Sequence, residues 1–417
     1  MRQPPTQTRH RARPTAVFRL MTVLALTFAA ILVLWMAVLL AFAGPLAARW
    51  REPVLRQPVL IIESDDWGAG PLVQADALSR LSVLLQRVRD RSGHPAVMTL
   101  GVVLEVPDGA RIAATGGTEY HALPLADARF DAIRAAMQTG IDAGVFAPQL
   151  HGQCHYWPPA LMEAAKSDAS VRDWLTAPEP ASTEDLPSPL QTRWADASSL
   201  PSRALAPEAI QQVVVAEAAS YQAVFGSAPQ VAVATTFVWN EAVETAWAQA
   251  GVEAIITPGR RATCRNVAGQ PAGEDATMLT GERSLAGQTY LVRDVYFEPA
   301  LGHAPQRLVE GLQARTRLGR ACLVETHRFN FMQALDSSLS ALETGLIAAL
   351  AASPNLRFIS PPELVRALQT RDPAWVETRL RPRLVAWRER LDEIPRFRRV
   401  AQLSGLVLPL TLLGGRA

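Results

Sequence analysis

From residue 59 onward, short runs rich in apolar and β-branched residues alternate with stretches whose apolar residues recur every third or fourth position. The runs are VLIIE (59–63), VMTLGVVLEV (97–106), VFAPQL (145–150), VAVATTF (231–237), EAIIT (253–257), YLVRDVYF (290–297), CLVET (322–326) and LRFIS (356–360). Strands joined through helices pair in parallel, so this alternation predicts an α/β fold around a mainly parallel sheet. Seven or eight such units in about 320 residues suit a closed or nearly closed (β/α)7-8 barrel better than an open sheet. The segment SPPEL (360–364) fits the start of the last helix, with Ser360 as cap, Pro361 in the first turn and Glu363 where a capping box needs it. Residues 157–206 break the rhythm. They are rich in Pro, Ser and Ala, carry Trp157, Trp174 and Trp194, and read either as a lid with stacking faces for sugar rings or as a plain surface insertion.

Ahead of this domain, Leu20 to Ala43 form a charge-free apolar stretch long enough to cross a bilayer as a helix. Arg2, Arg9, Arg11, Arg13 and Arg19 precede it and hold the N-terminus in the cytoplasm under the positive-inside rule. A cleavable signal peptide ending near AFAG (41–44) is the alternative, but its apolar core is normally only about 7–15 residues. Both readings export the domain. The expected organisation is a basic tail (1–19), a single-pass signal anchor in the inner membrane (20–43), a linker (44–56), a barrel (57–370) on the periplasmic or extracellular side, and a C-terminal tail (371–417). Within that tail LSGLVLPLTLLGG (403–415) is too short to span and either lies at the membrane interface or packs on the barrel. With 41 basic and 39 acidic residues the net charge is +2, which leaves no field to hold a nucleic acid. Of three cysteines at least one stays unpaired; Cys264 with Cys322 is a candidate disulfide.

The first run continues into LIIESDDWG (60–68), ending on two adjacent carboxylates, Asp65 and Asp66. On an extended strand neighbouring side chains point to opposite faces, so this pairing needs an explanation, and a nearby positive group is the simplest. Two of the seven histidines, His151 and His155, stand in HGQCH directly after VFAPQL, and His327 closes ACLVETH. These groups fall at the C-terminal ends of three strands, which share one rim in a parallel barrel. Two histidines and a carboxylate form the ligand set of a catalytic metal site that keeps one position open. One Asp then meets a cation and the other is left to move a proton. Cys154 is either a further soft ligand or a small buried thiol. Glu63, two residues before Asp65, points to the same side and is a candidate supporting partner.

In order and spacing, SDDWG, HGQCH and ETHRF resemble the motifs of the polysaccharide deacetylase family, also known as NodB-homology or carbohydrate esterase family 4. The resemblance spans roughly residues 57–365 and implies a distorted barrel of the deacetylase type. It implies a metal-dependent hydrolase that removes N- or O-linked acetyl groups from an acetylated polysaccharide or oligosaccharide of the envelope or of secreted material. Carried over by position, Asp65 is the general base, His327 the general acid, and Asp66, His151 and His155 bind one divalent metal. Zinc is the first candidate, with cobalt, manganese or nickel as alternatives.

Three departures stand out. The family's third motif has an Arg that orients the catalytic Asp, whereas TTFVWNEAVETAWAQAGVEAIIT (235–257) has none, so Arg260, Arg261 or Arg328 is expected to substitute. Trp67 replaces the usual Gly and is expected to narrow the cleft or offer a stacking face. Asp294 either orients His327 or is an exposed loop residue. Two rival functions stand beside this reading, the first of them prompted by the missing Arg. One is a metal-stabilised glycan-binding or assembly protein without turnover, and the other is a glycoside hydrolase on a related barrel using Asp65 and another carboxylate such as Glu325 as its catalytic pair.

Overall fold

The computed structural model describes residues 16–273 and 277–413, the side chains of 412 and 413 excepted, so Arg2, Arg9, Arg11 and Arg13 lie outside the described residues. The chain divides into two compact units, one of residues 52–378 and one made from the segments before and after it.

In the larger unit every run read as a strand contributes to one sheet. Its strands are β1 (Val59–Gly68), β2 (Met98–Val103), β3 (Phe146–Leu150), β4 (Val231–Val233), β5 (Ala254–Thr257), β6 (Thr289–Val292), β7 (Val295–Tyr296), β8 (Cys322–His327) and β9 (Arg357–Phe358). The order is β6-β5-β4-β3-β2-β1-β8-β7, with β9 also pairing β1, and every ladder is parallel. All of β1 is buried, as expected for a central parallel strand covered on both faces.

The sheet curls because its two ends belong to one piece of chain. Only Arg293 and Asp294 separate β6 from β7, so the edges lie within about 11 Å of each other along the backbone. No ladder joins these edges among the described residues, so the sheet is a curled, open half-barrel whose seam is bridged only by the bent segment that carries Arg293. The run YLVRDVYF, read as one strand, is therefore two. The helix that follows β9, Pro361–Thr370, starts as the sequence indicated: the Glu363 carboxylate accepts from the Ser360 N–H at 2.7 Å.

The smaller unit is built on the helix Ala16–Ala41, which has a mean hydropathy of 2.8 and is almost wholly exposed. Its length and composition are compatible with a single-pass membrane anchor. The helices Leu380–Arg390, Pro395–Leu403 and Val407–Leu413 gather at its end. Val38 and Leu46 share an apolar cluster with Phe397, Ala401, Leu406 and Leu410, so the apolar C-terminal stretch packs on this helix.

Residues 157–206 form the helices Pro158–Ala165 and Ala169–Leu175, two short 3-10 turns and a small hairpin. Their tryptophans are not open platforms. Trp194 is buried edge-on against Trp247, Trp174 meets Tyr156 edge-on, and Trp157 lies under the Arg193 guanidinium. The expected disulfide is absent: Cys154, Cys264 and Cys322 are all free.

Candidate metal centre and its proton-moving groups

The two adjacent carboxylates are explained by a bulge. The pairing of β1 with β2 shifts register between Ser64 and Trp67, and Asp66 takes a left-handed conformation with φ of 74°. A bulge breaks the alternation of the strand, and Asp65 and Asp66 both line one cavity of about 330 Å³. Two more non-glycine residues with positive φ, Thr236 and Phe237, line the same cavity, so backbone strain is concentrated here.

Asp66 faces both histidines of HGQCH. Its Oδ1 lies 3.4 Å from Nε2 of His151 and 3.2 Å from Nε2 of His155, and all three residues are buried. Nδ1 of His151 lies 3.0 Å from the Val233 carbonyl oxygen, which makes that nitrogen a donor and turns Nε2 toward Asp66. Burial pushes His155 down to about 4, against the pull of Asp66, so at neutral pH its ring is uncharged. Burial acts to raise Asp66, but the two histidines outweigh it and hold its carboxyl far below the usual range. A carboxylate oxygen with no hydrogen-bond partner thus sits against two imidazole nitrogens. Ligand atoms on a divalent ion, at metal distances of about 2.0–2.2 Å, stand about 3.0–3.5 Å apart, which matches this spacing.

Asp65 belongs to a different pairing. Its carboxylate accepts a buried hydrogen bond from Arg293, the residue at the barrel seam. The sequence pointed instead to Arg260, Arg261 or Arg328; Arg261 pairs with Glu244 at 2.9 Å and Arg328 with Glu184 at 2.6 Å. Phe237, in the stretch that lacks the motif-three Arg, lies beneath the Arg293 guanidinium at 4.8 Å. Burial tends to raise Asp65, yet Arg293 and His151 bring it below its ordinary value, so it is ionised. Gly101 on β2 leaves the space Asp65 needs, since a Cβ there would lie 2.4 Å from its Oδ1.

His327 is the neighbour of Asp65 across the β1–β8 ladder. Its Nδ1 lies 2.6 Å from Oε1 of Glu298, a fully buried carboxylate that also accepts from Asn330 and Thr326. Burial opposes the charged imidazole, but Glu298, Asp66 and Asp65 outweigh it and push His327 up to about 9. Asp294, a candidate for this orienting role, pairs with Arg315 at 3.0 Å instead.

Packing overturns the expectation for Trp67 and decides between the two readings of Cys154. Trp67 is fully buried, stacks on Phe331 and donates to Ser64 Oγ at 2.8 Å, so it offers no face to the cleft. Cys154 is buried outside the metal group and donates to the Tyr156 carbonyl. Glu63 faces the barrel interior and accepts from Thr99 and Gln149 at 3.0 and 2.8 Å; burial pushes it up to about 7. Glu325 lines the cavity, 3.5 Å from Nε of Arg293 and 4.0 Å from Nε2 of His327. Sequence reasoning missed Arg293, Glu298, Glu184 and Gln191. A lone Arg inside the apolar run YLVRDVYF was the available signal for the first.

No family model matches the chain, and no curated protein matches it in sequence. Among solved structures, the fold is similar to that of family 4 carbohydrate esterases and polysaccharide deacetylases. A family 4 carbohydrate esterase from Streptomyces lividans, in complex with acetate, is 12% identical over 74% of this chain and 96% of its own, with a TM-score of 0.35. The peptidoglycan deacetylase PdaC from Bacillus subtilis is 11% identical over 76% and 95%, with a TM-score of 0.35. The α-amylase AmyC from Thermotoga maritima is 9% identical over 75% and 74%, with a TM-score of 0.41.

Proposed function

We propose that the protein is a divalent-metal-dependent hydrolase that removes acetyl groups, N- or O-linked, from an envelope or secreted polysaccharide while anchored by its N-terminal helix with the barrel outside the cytoplasm. One observation carries this reading. In a single cavity, a buried Asp-His-His group with an unpartnered carboxylate oxygen adjoins an ionised Asp held by an Arg and a His held by a Glu.

Asp66, His151 and His155 are the residues to hold the ion, and their N/O donor set suits zinc, with cobalt, manganese or nickel as alternatives. When bound, a divalent cation polarises an acyl carbonyl and acidifies water. Asp65, kept ionised by Arg293, accepts the proton of the water that attacks the acetyl carbon. Protonated His327, kept charged by Glu298, gives its proton to the departing sugar amine or hydroxyl as the bond to the acyl carbon breaks. Acetate and the free sugar group are the products. Glu184 and Gln191, from the segment 157–206, form part of the cavity wall, and Arg328 fixes Glu184 there.

The glycosidase alternative needs two carboxylates flanking a sugar bond. Asp65 and Glu325 instead converge on one guanidinium, that of Arg293. The deciding assay is acetate release from an acetylated chito-oligosaccharide before chelation, after it, and after adding zinc back. Release that chelation abolishes and zinc restores supports the reading. Metal retained without acetate release from any acetylated glycan favours the binding protein, and chelator-insensitive cleavage of the sugar chain favours the glycosidase.

A further inference from the structure

Residues 16–34 of the N-terminal helix are exposed along their whole length, and cover by the C-terminal helices begins at Trp35 and Val38. Counted from Leu20, where the charge-free stretch starts, a hydrocarbon core of about 30 Å is crossed in about 20 residues, near Leu39. Trp35, Val38 and Leu39 therefore lie in the outermost layer of that core, and whatever packs on them lies at the same depth. Trp35 donates its indole N–H to the Ser404 carbonyl at 2.8 Å, and Val38 clusters with Leu406 and Leu410.

The C-terminal segment is built for that depth. From Val400 to Gly415 it carries no charged residue. On the side turned away from the cluster, Leu403 is 83% and Leu408 68% exposed, a poor arrangement in water and a good one among acyl chains. Just before it, between residues 379 and 399, eight arginines (379, 381, 383, 388, 390, 396, 398 and 399) stand against three acids, Glu389, Asp392 and Glu393. Arg396, Arg398 and Arg399 are exposed, although Arg398 also lies 3.7 Å from Asp392.

We infer that residues 395–413 are a membrane-surface element of this chain, clamped to the end of the anchor. Leu403 and Leu408 dip into the acyl boundary, and Arg396, Arg398 and Arg399 contact the phosphates of anionic phospholipid. The occupant of this surface is the bilayer because the exposed leucines continue the apolar surface of the anchor helix and the adjoining charge is positive. The inference rests on the anchor reading, so the test reads the two separately.

The full chain carrying Cys264→Ser is labelled with an environment-sensitive fluorophore at Leu408→Cys, at Val33→Cys on the anchor, or at Val267→Cys, a 77% exposed residue of the larger unit. Each sample is placed in lipid discs containing nitroxide-bearing acyl chains. The Leu408 and Val33 labels are expected to be quenched about threefold or more relative to Val267, as in a bilayer interface and core. A quenched Val33 label with a Leu408 label as free as Val267 overturns the inference and leaves the anchor standing. An unquenched Val33 label overturns both. For the headgroup contact, the melting temperature is compared in phosphatidylcholine discs with and without phosphatidylglycerol. The wild type is expected to gain stability from the anionic lipid and the Arg396→Gln, Arg398→Gln, Arg399→Gln variant to lose that gain; equal responses of the two proteins overturn the lipid contact.

Discussion

At the scale of single residues, the site works by holding each ionisable group in one protonation state with a partner of its own. Arg293 does this for Asp65. Stripping a buried carboxylate of its partner costs about 3–5 kcal/mol, which Arg293→Gln partly escapes only if Asp65 takes up a proton and ceases to be a base. Arg293→Gln is expected to lower kcat for acetate release about 100-fold with metal content unchanged; an unchanged kcat removes Arg293 from its assigned role. Glu298 acts on His327 in the opposite sense, raising its pKa to about 9 against the effect of burial. A general acid acts while protonated, so activity persists as pH rises and falls away above about 9. Glu298→Gln is expected to move that alkaline limb of the kcat/KM profile to lower pH, and a limb that stays in place contradicts the pairing. By linkage, the stability gained from this raised pKa is complete below pH about 6.5 and lost as pH rises through about 9, which urea titration across that range reads.

At the scale of elements, the bulge in β1 and the bend between β6 and β7 assemble the cavity, and they mark where sequence reading succeeds and stops. Each strand-bearing run was legible because a buried parallel strand is a dense apolar run, but the bend that splits YLVRDVYF into two strands was not. That Asp66, His151 and His155 come together was legible because the ends of parallel strands meet on one rim. The partner of Asp65 was not, because Arg293 comes from the far end of the sheet order and meets β1 only once the sheet curls. Trp67 was misread for a related reason: past the bulge, alternation no longer tells which way a side chain points. Gly101, unremarkable in VMTLGVV, gives Asp65 its room. Gly101→Ala is expected to lower kcat at least about tenfold while costing only about 1–3 kcal/mol of stability; full activity with Ala in place shows that Asp65 has other space. In the segment 157–206, Glu184→Gln is expected to raise KM with little effect on kcat, since it loosens the cavity wall held by Arg328 and touches no proton transfer. A selective fall in kcat contradicts that role.

At the scale of the molecule, the sheet unit with its candidate metal group and the long apolar N-terminal helix belong to separate compact units of one chain. The long apolar helix was plain from composition, but the helices that gather on its end were not, because short amphipathic segments carry no mark of the surface they cover. The central claim is that one ion sits on Asp66, His151 and His155 and that Asp65 acts beside it. The most direct measurement is metal stoichiometry by mass spectrometry on wild type, His155→Ala and Asp65→Asn, each assayed for acetate release. The account predicts about one divalent ion per wild-type chain, loss of both ion and activity in His155→Ala, and retention of the ion without activity in Asp65→Asn. A wild-type chain that releases acetate with no metal, or an Asp65→Asn chain as active as wild type, contradicts it.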